Sequence, residues 1–125
     1  MDAKELRLGN YIHPLLDKNE VAEICYIGEN DFGYERLSDK EYFQGNSIKP
    51  IPLTEEWLLK FGFVYCKNYD EYRYKEKTNW FGIFKSEDDD WLFEKPNMSS
   101  VVLPSVHQLQ NLYFFLTNEE LIIVI

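Results

Sequence analysis

The chain has little of what staples, anchors or arms a protein. It has only two cysteines, Cys25 and Cys66. Each lies in an apolar, strand-like run (EVAEICYI and FGFVYCK), where a free cysteine reads as a small buried hydrophobe and not as part of a disulfide framework. Two histidines, His13 and His107, stand far apart with no Cys/His ligand spacing, so a zinc site is not expected. Glycine-rich phosphate loops, GxSxG, HExxH and CxxC are all absent. No enzyme chemistry, catalytic residue, metal or cofactor is therefore expected. No apolar run approaches the roughly 18–20 residues needed to span a bilayer, and MDAKELRLGN lacks the basic-then-apolar order of a secretory signal. No membrane association and a cytoplasmic location are expected.

Positive charge is also scarce. Thirteen Lys and Arg face 22 Asp and Glu, a net charge of −9. The deficit is spread evenly: residues 1–53 hold ten acids against six bases, residues 54–125 twelve against seven. Holding nucleic acid by phosphate neutralisation requires a basic footprint, so direct nucleic-acid binding is not expected. An acidic surface suits solubility, or docking onto a basic protein.

What the chain does have is rings. Nine Tyr, nine Phe and three Trp make 17% of its 125 residues, within a 45% apolar composition. That length predicts a single domain, 1–125, able to bury a core without staples. KPIPL (49–53) marks the best internal boundary, because two prolines stop a strand there. It separates a β subregion, 1–53, from a helix–meander–helix subregion, 54–125.

Short β runs broken by turn residues fill the first part and predict a small curled sheet or SH3-like barrel. GENDFG (28–33) is a hairpin turn, read as drawing on the tolerance of Gly, Asn and Asp for positive φ. LTEEWLLKFGF then predicts a short helix over 55–61. Thr54 caps it, Glu55 and Glu56 sit at the positive end of its dipole, and Gly62 supplies a left-handed stop. FVYCKN, EYRYKEK, NWFGIFK, DWLFEK and SSVVLP predict an antiparallel meander, with turns at 68–70, 77–79, 86–90 and 95–97. Ser105 and Gln108 have capping-box spacing, and Val106, Leu109, Leu112, Tyr113 and Leu116 mark a buried helical stripe. Asn118 is placed for a left-handed stop, and 121–125 for a closing strand. The fold class expected is α+β.

Candidate contact residues come from charge beside rings. Glu87, Asp88, Asp89 and Asp90 form an acidic turn next to Trp91; with Trp80 they are the expected partner-binding surface. A solvated turn is the simpler reading of the same residues. Arg73, Lys75 and Lys77 alternate along one strand face, with Tyr72 and Tyr74 on the other, and offer an alternative RNA-binding set acting by charge and stacking. His107, beside the buried stripe, reads as structural because nothing at a useful spacing partners it as base or ligand.

Three blocks, KELRLGNYI, IPLTEEWLLKFGF (51–63) and VHQLQNLYFFLTNEEL (106–121), resemble a family of small proteins found in phages and prophages of Bacteroidetes. The blocks cover about a third of the chain. Asn118 replaces an expected Gly, and the acidic insert at 86–90 has no counterpart. The resemblance implies a mobile-element origin and no assigned activity. Some small acidic phage proteins inhibit host immune nucleases. The expectation is thus a non-enzymatic interaction protein of the anti-CRISPR type, docking on an RNA-guided nuclease of the host. The alternatives are a small RNA-binding accessory module and a phage housekeeping protein without a defence role.

Overall fold

The computed structural model describes residues 5–14, 20–46, 48–74, 81–93 and 100–123. The turns expected at 77–79 and 95–97, together with Lys75, Lys77 and Trp80, lie outside these. The fold is α+β, as expected, and the described residues form two compact units. Unit 1 is Met1–Pro52 with Ser105–Glu120, and unit 2 is Leu53–Pro104 with Leu121–Ile125. The division at 52/53 falls inside KPIPL. The C-terminal helix, grouped by the sequence reading with the downstream half, belongs instead to unit 1.

Unit 1 is an antiparallel sheet of β1 (Tyr11–Pro14), β2 (Ala22–Ile27), β3 (Phe32–Arg36), β4 (Tyr42–Gly45) and β5 (Ile48–Lys49). The order β4-β3-β2-β1-β5 brings the last strand back beside the first, which makes a curled half-barrel. Leu6, Ile12, Ala22, Ile24, Phe32 and Ile48 form its core, with Ile27 and Tyr34 packed against them. A bulge between Ile24 and Tyr26 breaks the β2–β3 register. Cys25 is the extra residue, so it is exposed rather than buried as its apolar run implied, and the alternation flips after it. Both cysteines are free. The 28–31 turn forms, closed by the Gly28 N–H donating to Asp31 O at 2.8 Å. It does so without a positive φ at any residue from 28 to 33, contrary to the expectation drawn from its composition.

Helix α2 (Val106–Thr117) completes unit 1, ending on Asn118 at φ 60 as its sequence predicts. Its buried face is Val106, His107, Leu109, Gln110 and Tyr113; Leu112 and Leu116 are only half-buried. The stripe is rotated toward two polar residues, Gln110 with both ends of its amide bonded inside and His107 with one ring nitrogen beside Ser105, a condition periodicity cannot test. Gln110 Oε1 accepts the Tyr11 N–H at 2.9 Å while its Nε2 donates to Gly9 O at 3.0 Å. Asn111 Oδ1 accepts from Asn10 and Arg7 at 2.8 and 3.0 Å, and its Nδ2 donates to Glu5 O. The Arg7 guanidinium lies 3.9 Å from the Phe114 ring centroid and pairs with Glu120. The polar letters of ELRLGN and HQLQN are thus largely bonded to each other.

The capping box at Ser105 does not form. Its hydroxyl donates to the Gln108 side-chain oxygen at 2.7 Å and lies 3.1 Å from His107 Nδ1, leaving the first-turn N–H groups without a side-chain cap.

Unit 2 opens with α1 (Glu55–Lys60), where Thr54 Oγ1 accepts the Trp57 N–H at 3.3 Å and Gly62 turns the chain at φ 98, as the sequence predicts. Then β6 (Phe63–Cys66), β7 (Glu71–Tyr74), β8 (Phe81–Lys85), β9 (Trp91–Phe93) and β10 (Val101–Val102) pair in sequence order as an antiparallel meander. Phe63, Phe81, Ile83, Trp91 and Phe93 are buried on one of its faces, with Phe81 stacked on Phe93 at 4.6 Å. Residues 121–123 lie outside the named strands, so the expected closing strand is not seen there, although Leu121 is fully buried.

Candidate functional site

Side chains two apart on a strand share a face, and cross-strand partners sit side by side. In unit 2 these rules align Phe63 and Tyr65 with Tyr74 and Tyr72, then with Phe81, Ile83 and Lys85, then with Phe93 and Trp91. At one end the row is closed core, Phe63 packing on Tyr74 and Phe81. At the other it opens into a groove of about 330 Å³ lined by Leu53, Thr54, Glu55, Tyr65, Asp70, Tyr72, Lys85 and Trp91.

The groove combines rings with carboxylates. Tyr65 and Tyr72 have ring centroids 5.1 Å apart, and Trp91 meets Tyr72 edge-to-face at 5.6 Å. The Tyr65 hydroxyl donates to Asp70 Oδ1 at 2.6 Å, and the Tyr72 hydroxyl donates to Glu55 Oε2. Burial, reinforced by the Glu55 hydrogen bond, pushes the Tyr72 phenol up to about 12. The Asp70 hydrogen bond, with burial, raises the Tyr65 phenol as well. Both hydroxyls are thereby held as donors. Lys85 Nζ lies 5.0 Å from the Trp91 ring centroid and 3.1 Å from Asp89 Oδ1. The groove lining thus holds two carboxylates, Glu55 and Asp70, and one ammonium, which is itself paired with Asp89.

Comparison of the chain with protein-family models, curated proteins and solved structures finds no match.

The structure regroups the residues singled out by sequence. Trp91, expected as an anchor beside the acidic turn, is buried at 7% exposure, with Tyr72 edge-to-face against it and Lys85 Nζ over its ring. Tyr72, from the RNA-binding set, joins it in the groove. Glu87, Asp88, Asp89 and Asp90 are exposed in the β8–β9 turn. The Ser86 hydroxyl accepts the Asp90 N–H at 3.2 Å and Asp89 takes φ 69, so part of this run is turn chemistry. Among the described residues no cluster of three His, Cys, Asp or Glu is placed to hold a metal. Arg73 sits on the opposite sheet face, paired with Glu71 at 2.5 Å and stacked over Tyr69 at 4.1 Å. Tyr74 packs on Phe63 in the closed end.

Sequence reasoning missed Glu55, Tyr65, Asp70 and Lys85. Glu55 reads from sequence as a helix-dipole residue and Asp70 as a turn residue. The β6–β7 and β8–β9 registers, with α1 set beside them, put these residues around one space.

Ser105 and His107 form a hydroxyl–imidazole pair, but not a nucleophile and its base. Both are buried, and the serine proton goes to Gln108. Nδ1–H must then donate to the hydroxyl, leaving His107 Nε2 as a bare lone pair without a hydrogen-bond partner, 4.0 Å from Glu5. Burial lowers the imidazole pKa, with Glu5 acting in the opposite direction. No helix among the described residues is long and apolar enough to cross a membrane.

Proposed function

We propose that the protein is a non-enzymatic interaction module that docks on a basic surface of another protein. The observation that carries this reading is the groove: three rings and two carboxylates on a chain whose net charge is −9. Rings give contact area at low entropic cost, and the acidic field steers encounter with a cationic partner. The exposed acidic turn at 87–90 adds to that field. The resemblance to phage and prophage proteins makes an RNA-guided host nuclease the partner to test first, with inhibition by occlusion as the mode of action.

The test is co-purification of tagged protein from host cells, with and without ribonuclease, followed by target cleavage by the recovered nuclease. The expected result is a basic protein retained after ribonuclease, released by salt, and inhibited in cleavage in proportion to added protein. RNA that co-purifies alone and binds the pure protein in a salt-sensitive gel shift would favour the RNA-binding alternative. Arg73, the described base of that set, is already paired and stacked.

A further inference from the structure

Resting on that docking reading, we propose that the unit 2 groove is a receptor for one arginine side chain of the partner, gripped by the rings of Tyr65, Tyr72 and Trp91 and by Glu55 and Asp70. The groove is open, and its charge has the right sign: even with Lys85 counted, carboxylates outnumber ammonium. Each tyrosine hydroxyl occupies one oxygen of its carboxylate, Oε2 of Glu55 and Oδ1 of Asp70. Among the described residues, Glu55 Oε1 and Asp70 Oδ2 have no hydrogen-bond partner and can receive N–H groups from a ligand. The phenols fix the carboxylates in place, so little ordering is left to be done on binding.

A guanidinium fits these elements better than an ammonium. It is planar, weakly hydrated, stacks on aromatic faces and presents several N–H donors in a rigid fork. The ring set already supports one cation, since Lys85 Nζ stands over Trp91, but Asp89 holds that ammonium at 3.1 Å on the side of the β8–β9 turn. The unclaimed oxygens are those of Glu55 and Asp70.

The experiment is an NMR titration of the full chain with N-acetyl-arginine amide, beside N-acetyl-lysine amide and the neutral isostere N-acetyl-citrulline amide. Saturable shifts at the Trp91 indole N–H, Tyr65 and Tyr72 are expected in the millimolar range with the arginine compound, as befits so small a ligand. Lysine amide should bind several-fold more weakly and citrulline amide should give no saturation. Glu55→Gln and Asp70→Asn, each checked for an unchanged spectrum elsewhere, should each weaken arginine binding about tenfold by removing a charge-assisted bond. Asn tolerates the positive φ at position 70, which keeps the turn intact. An equal response to citrulline, lysine binding as tight as arginine, or shifts centred on the 87–90 turn would each overturn the proposal. If a variant carrying both Glu55→Gln and Asp70→Asn captures the basic partner as well as the parent does, the arginine receptor is wrong while the docking reading stands. If arginine amide binds the groove and no basic protein co-purifies, the docking reading fails alone.

Discussion

Gln110 Oε1 accepts the backbone N–H of Tyr11 at 2.9 Å across 99 residues of sequence. With the second bond from Gln110 Nε2 to Gly9 O, this carboxamide acts as a pair of ladder contacts between α2 and the entry to β1. Gln110→Leu keeps the volume and deletes both bonds. The orphaned backbone groups should cost about 2–4 kcal/mol, read as a lower urea midpoint with an unchanged m-value. A loss below about 0.5 kcal/mol, the range of an ordinary surface substitution, would mean that water replaces the amide.

His107 makes stability depend on pH in the mildly acidic range. Its folded-state pKa lies below the ordinary 6.5 because of burial. The neutral ring therefore favours the fold, in full above the unfolded value, and this contribution is lost as pH falls through the folded value. Denaturation midpoints should decline as pH drops below 6.5, with a flatter slope in His107→Leu. ¹⁵N NMR should find the Nδ1–H tautomer in the parent.

Tyr72 gives the groove an alkaline signature. Its phenol, displaced to about 12, should ionise well above the ordinary value of 10 in an absorbance titration. Because the protonated form is favoured by folding, its contribution to stability is complete below the unfolded value of 10 and is lost as pH rises through 12. Glu55→Gln should bring this ionisation down toward the ordinary range; an unchanged titration would mean that burial alone raises it.

Two strand glycines should behave oppositely. A Cβ at Gly33 would press on the Tyr42 hydroxyl and lie 2.8 Å from Tyr26 Cβ, whereas one at Gly45 meets nothing within 4 Å. Gly33→Ala should destabilise by about 1–3 kcal/mol through overpacking. Gly45→Ala should shift the thermal midpoint little in either direction. Equal effects would show that ring packing over Gly33 gives way freely.

Local chemistry was readable where it needed no distant partner. Thr54, Gly62 and Asn118 perform as their positions in the chain imply, because caps are satisfied within a turn or two. The five-strand meander was equally legible, since apolar alternation and turn residues suffice to order neighbouring strands. Legibility stopped at the bulge. A single unpaired residue, Cys25, inverts which side chains face inward, and nothing in EVAEICYI announces it. Ser105 bonds the Gln108 side chain and lies beside the buried His107 imidazole instead of capping the helix.

The candidate groove was half visible. Trp91 and Tyr72 stood out as rings near charge, but for different functions, Trp91 as a contact beside the acidic turn and Tyr72 in the RNA-binding set. The amino-acid order by itself determined the α+β class, the helix ends, the strand succession and the acidic charge, all of which follow from short-range sterics, periodicity and composition. The tertiary structure decided which face of α2 is buried, where the opening and closing motifs bond to each other, and that Glu55, Tyr65, Asp70, Tyr72 and Trp91 surround one space. Those outcomes depend on register and on long-range hydrogen bonds, which are fixed only when distant segments compete for the same partners.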